Sequence, residues 1–141
     1  MKSPRIWIIT ADGARARFFV KQGREMAEIP QARMDEPHPP SREIGADKPG
    51  RAFESKGHTR SATGPRVDLH QQAEDNFARK VAAVLTQDAH LYERVLLIAA
   101  PRTLGVMRPH LLKLQSRIDE IAKDLTHLGA KALGEALADV V

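Results

Sequence analysis

Two unbroken apolar runs constrain this chain most. One is Ile6-Trp7-Ile8-Ile9-Thr10-Ala11 and the other is Val95-Leu96-Leu97-Ile98-Ala99-Ala100. A strand with one wet face alternates apolar and polar residues, and neither run does so. Both therefore read as inner strands of a sheet that is covered on both faces. Covers of that kind are helices, which makes the chain an α/β protein.

The flanking residues extend this reading. Asp12-Gly13 is a hairpin signal that supplies the positive φ of a tight turn. Beyond it, Ala14, Ala16, Phe18 and Val20 alternate with Arg15, Arg17 and Phe19, which predicts a second strand with a basic outer face. Gln22-Gly23 reads as a turn, and Glu25 to Ile29 as a short strand ending at Pro30. Further on, Asp68-Leu69-His70-Gln71 has the form of a capping box. It opens a helix to about residue 88 with Ala73, Phe77, Val81, Val84 and Leu85 as its apolar stripe. Thr103-Leu104-Gly105 reads as a loop, Pro109 to Gln115 as a helix, Arg117 to Ile121 as a strand and His127 to Val140 as a closing helix. The expected fold is α/β: a mixed sheet with an N-terminal β-hairpin, a long basic Pro/Gly-rich arm, then αβαβα. The length of 141 residues suits a single domain.

The arm is the stretch from Asp35 to Arg66. Pro37, Pro39, Pro40, Pro49 and Pro65 oppose helix and central strand alike. Its apolar content is too low to offset the entropy of ordering it alone. Roughly residues 36–64 are therefore expected to lack regular structure. Arg51, Lys56, His58, Arg60 and Arg66 punctuate the arm, and Gly50, Gly57 and Gly64 let the backbone approach a ligand closely. Arginine forks and lysine point charges both suit phosphate. The expected partner is anionic, with Arg15 and Arg17 extending the basic surface. The alternatives are a solvated arm without a partner and, for the two hairpin arginines, protection of a sheet edge by charge. Phe53 is the one aromatic residue in the arm, which argues against reading a single strand by stacking.

Charge distribution points the same way. The net charge is +4, and the first 34 residues hold seven Lys/Arg against three Asp/Glu. That pattern suits RNA or another polyanion. There is no cysteine, so disulfides and thiolate metal sites are excluded. No apolar run is long enough to insert into a membrane, and the expected location is the cytoplasm. The six histidines show no zinc spacing, so no metal is expected. Asp12, Asp68, Glu74, Asp119 and Asp124 form no legible catalytic pair. Glycine-rich nucleotide fingerprints are missing, so no cofactor is expected. Ser55, Ser61 and Thr63 have no identifiable base, which leaves a hydrolase reading without a named site.

Several segments occur together in order: Trp7–Val20, Asp47–Arg51 with Phe53, Ser55 and Gly57, Pro65–His70, Leu97–Arg108 and Lys123–Leu128. As a set they resemble the bacterial host-attachment protein family. The family's name implies a role in attachment to host cells, through protein or polysaccharide. More distantly, the order of elements resembles the central domain of archaeal and eukaryotic peptide-chain release factors. In those proteins a basic loop before a long helix carries Gly-Gly-Gln into the ribosome. The matching place here reads Lys56-Gly57-His58-Thr59-Arg60-Ser61-Ala62, without that tripeptide. The second resemblance thus implies the fold and ribosomal or transfer RNA as partner, and not peptide release.

Overall fold

The computed structural model describes residues 3–36 and 63–139. Strands β1 (Arg5–Ala11), β2 (Arg15–Gln22), β3 (Glu25–Glu28) and β4 (Met34–Asp35) come first. Helix α1 (Thr63–Gln87), strand β5 (Arg94–Ala99), helix α2 (Pro101–Met107), strand β6 (Ile118–Ala122) and helix α3 (Ala130–Ala136) follow. The sheet runs β3-β2-β1-β5-β6, with β4 also paired to β2. The β1–β2, β2–β3 and β2–β4 pairs are antiparallel, while β1–β5 and β5–β6 are parallel. The mixed α/β architecture is the one expected from the sequence.

Both apolar runs lie at the centre of the sheet, as their lack of alternation requires. Ile8, Ile9, Leu97 and Ile98 are buried completely or nearly so. On the first face, Trp7, Ile9, Phe18, Val95 and Leu97 pack under Phe77, Val81 and Leu85 of α1 and Leu104 and Met107 of α2. The Trp7 ring meets Phe18 edge-on at 5.8 Å between centroids and lies 5.1 Å from Tyr92. The Tyr92 hydroxyl donates to the Leu85 carbonyl at 2.7 Å, which satisfies a buried polar tip and pins the end of α1. On the second face, Ile8, Phe19, Leu96 and Ile98 pack under Leu133 and Leu137, with Leu125 and Leu128 at the margin.

Several local expectations are corrected. α1 begins at Thr63, so Asp68 lies inside the helix and is not its cap. Pro65 is tolerated there because the first-turn N–H groups have no helical acceptor. Residues 103–105 belong to α2 and are not a loop, because Pro101 at its start has φ already set for a helix. The helix expected from Pro109 is instead two 3-10 segments, Arg108–His110 and Leu112–Arg117. Three-residue spacing puts Leu111 and Leu114 on one buried side and leaves Leu112 64% exposed. The closing helix is only Ala130–Ala136.

The first hairpin turn also differs from expectation. Among the described residues, positive φ occurs at Gly23, at 64°, and not at Gly13. The turn is held by the Asp12 carboxylate, whose Oδ1 accepts the N–H groups of Ala14 (2.8 Å) and Arg15 (2.7 Å). Gly13 is a matter of space: a Cβ there would lie 2.7 Å from the Glu74 side chain of α1. The proposed disordered arm, apart from its two ends, lies outside the described residues.

Candidate functional site

Open α/β sheets tend to hold ligands at the carboxyl ends of their parallel strands. Here that end is polar and is assembled from three parts of the chain. Asp12 follows β1, Asp124 and Thr126 follow β6, and α1 passes the turn with Glu74 against Gly13. His70 and Glu74 lie 3.5 Å apart on α1. The chain leaves β4 at the same place, since the Glu36 N–H donates to the Ala14 carbonyl at 2.7 Å and Lys80 pairs with the Glu36 carboxylate at 2.6 Å.

Thr126 joins the two aspartates. Its hydroxyl donates to Asp124 Oδ1 at 2.7 Å and lies 3.3 Å from Asp12 Oδ2. The Thr126 N–H also donates to Asp124 Oδ1, at 3.1 Å. The Thr126 hydroxyl, then its N–H, hold the Asp124 carboxyl below its usual range, with His127 and Arg15 adding attraction for the anion. Arg15 is mostly exposed and lies 3.6 Å from Asp12. It stands on the outer margin of an acidic pair.

Arg17 is placed differently. Its side chain is 18% exposed. Nε and Nη2 donate to Glu28 at 3.1 and 2.9 Å, and Nη1 donates to the Thr126 carbonyl at 3.2 Å. The guanidinium also sits 5.7 Å from the centre of the Phe19 ring, within cation–π range. Arg33 pairs with the same Glu28 at 2.8 Å. The Arg17 hydrogen bond, followed by that of Arg33, pulls the Glu28 carboxyl down from its ordinary 4.5 to about 2. The basic outer face expected for β2 is therefore absent at Arg17, because Glu28 and the segment holding Thr126 and Gly129 pack against it.

Of the seven cations read from the sequence, the structure brings together Arg15 and Arg17 on one strand, each beside a carboxylate. Arg51, Lys56, His58 and Arg60 lie outside the described residues. Arg66 falls in the first turns of α1, and its side chain lies outside them too. Sequence reasoning missed Glu28 and Thr126. Asp-x-Thr is a local signal for side chain–backbone bonding and could have exposed the second. Nothing local marks Glu28, whose partner Arg17 lies across the β2–β3 pair.

Among the described residues no group of three His, Asp or Glu is placed to hold a metal ion. None of their helices is long and apolar enough to cross a membrane. A groove of about 690 Å³ opens on the first face over β2 and β3, with Trp7, Val20, Ile29 and Leu91 in its wall and Arg5 and Glu25 as its charged members. It offers apolar contact area and no constellation for acid–base chemistry.

The family model described as "Protein required for attachment to host cells" matches residues 7–137. No curated protein matches the chain. Among several solved structures that match, one described as an archaeal protein aligns with 96% of this chain at 12% identity and a TM-score of 0.43. The chain spans about a third of that protein's length, 33%.

Proposed function

The chain belongs to the family of proteins required for attachment to host cells, and from that premise we propose that it is an attachment-related factor that works by binding and not by catalysis. Family membership over nearly the whole chain is the observation that carries this reading. We further propose that the ligand is polyanionic, and that Arg51, Lys56, His58, Arg60 and Arg66 contact it, with Arg15 at the margin. Composition supports this: these cations alternate with Gly50, Gly57 and Gly64 in a segment poor in apolar residues. Ribosomal or transfer RNA is the partner that the distant resemblance to release factors suggests. A protein or polysaccharide partner is the second reading, favoured by the family's description.

The test uses the whole chain and the variant Arg51→Ala, Lys56→Ala, Arg60→Ala. Binding to unrelated RNA sequences is measured against salt concentration. The variant should lose affinity about equally for all of them, and its salt slope should flatten by roughly 2 to 3. Equal binding by both proteins at every salt concentration would remove the arm from the contact. Binding to host-cell surface preparations, with no salt-sensitive binding to RNA, would favour the second reading.

A further inference from the structure

β6 is an outer strand of the sheet, and among the described residues no strand pairs with its far side. Asp119, Glu120 and Ala122 on it are exposed. Proteins usually guard such an edge with charged side chains, proline or a bulge. Ile118–Ala122 contains no proline. Both of its charges are compensated within the molecule: Asp119 pairs with Arg94 at 2.9 Å and Glu120 with Arg108 at 2.8 Å. The edge thus presents strand backbone without a strand partner, and its two carboxylates each have a cation beside them.

The opposite edge differs. β3 reads Glu25-Met26-Ala27-Glu28, and an antiparallel pair of two such strands in full register would set Glu25 against Glu28. α3 also packs along it, with Gly134 close to the Met26 sulfur. Self-pairing is therefore disfavoured at β3 and open at β6.

We propose that β6 is a self-pairing edge, through which two copies of this chain join antiparallel about a two-fold axis at Ile121. The charge pattern carries the choice of partner. Asp119, Ile121 and Lys123 occupy alternate positions in the sequence. A two-fold at Ile121 sets Asp119 against Lys123 of the second copy, and the symmetry repeats that contact. The two Ile121 side chains meet between them. Ile121 is only partly buried by its own subunit, where it packs on the second-face cluster. Lys123 lies one residue past the β5–β6 ladder, at a bend where its N–H returns to the Ile121 carbonyl at 3.1 Å, so the contact requires β6 to lengthen by that residue on pairing. On the other face, the exposed Leu112 and the half-buried Ile118 flank a hollow of about 250 Å³ beside the strand. That apolar flank adds area for the second copy to cover.

The test is the mass of the whole chain in solution, by sedimentation equilibrium over a range from about 1 to 200 μM. The unaltered chain should dimerise. Asp119→Lys and Lys123→Asp should each weaken the dimer at least about tenfold, and the double exchange should restore it. Lys123→Asp leaves the Arg94–Asp119 pair in place, so a loss shared by both single variants isolates the contact between copies. All three variants should keep the thermal transition of the original monomer fold, because both sites are exposed. A monomer at every concentration would overturn the proposal. So would a dimer indifferent to the single exchanges, or a double exchange that does not recover.

Discussion

The two faces of the sheet are held by different forces. The first face is covered by α1 and α2 and is almost wholly apolar. Among the described residues the second has six buried apolar residues, four on the strands and two from the short covering helix and its end. The second face is completed by charge: Arg17 bridges Glu28 to the Thr126 carbonyl and so fastens the C-terminal segment onto the hairpin. A broad apolar cover needs no specific partner. A narrow one gains from a directed tie, and a tie of this kind carries a pH dependence that packing does not.

The largest expected effect lies on the first face. Phe77→Ala should cost about 4 kcal/mol in a denaturant titration, because the ring is fully buried beneath α1. Leu133→Ala on the second face should cost less, about 2 to 3 kcal/mol, since its side chain is smaller and its buried cluster has fewer members. If the Leu133 variant proved the more damaging, the ranking of the two faces would be reversed.

The charged tie should show next. Glu28 sits near 2 in the folded protein against an ordinary 4.5. Its folded pKa is depressed, so its stabilisation is present above about pH 4.5 and is lost as pH falls toward 2. The amount is on the order of 2 kcal/mol after allowance for the residue's partial exposure. Denaturant midpoints measured from about pH 6 to about pH 2 should fall through that window. Glu28→Gln should be less stable at neutral pH and should flatten that part of the profile. An unchanged profile would mean that the second face is held by packing alone.

The smallest effect tests the turn between the faces. Gly13→Ala should cost about 1 kcal/mol or less, because the flexible Glu74 side chain can move aside. In a Glu74→Ala background the same change should be neutral or stabilising by about 0.5 kcal/mol, since Gly13 does not use positive φ. A cost that persists in that background would point to backbone strain at the turn.

Legibility followed the physical origin of each element. The strands at Ile6–Ala11 and Val95–Ala99 and the stripe of Phe77, Val81 and Leu85 were readable because burial on a regular backbone leaves a periodic trace. Element ends were less readable. The start of α1 at Thr63 and the helical state of Thr103–Gly105 depended on prolines that the eye takes as breakers but that suit a first helical turn. At the candidate site, Asp12 was recognisable as a turn residue, yet its approach to Thr126 joins residues separated by most of the chain.

The sequence by itself determined the class of the fold and the two central strands. Each of these follows from composition or period within a short window. Only the tertiary structure decided that Arg17 turns inward to Glu28, that Gly13 makes room for Glu74, and that Asp119 and Glu120 are paired with Arg94 and Arg108. The physical reason is common to all three. A charge or a missing side chain acquires its meaning from what lies within a few ångströms, and chain folding, not adjacency in sequence, selects that neighbour.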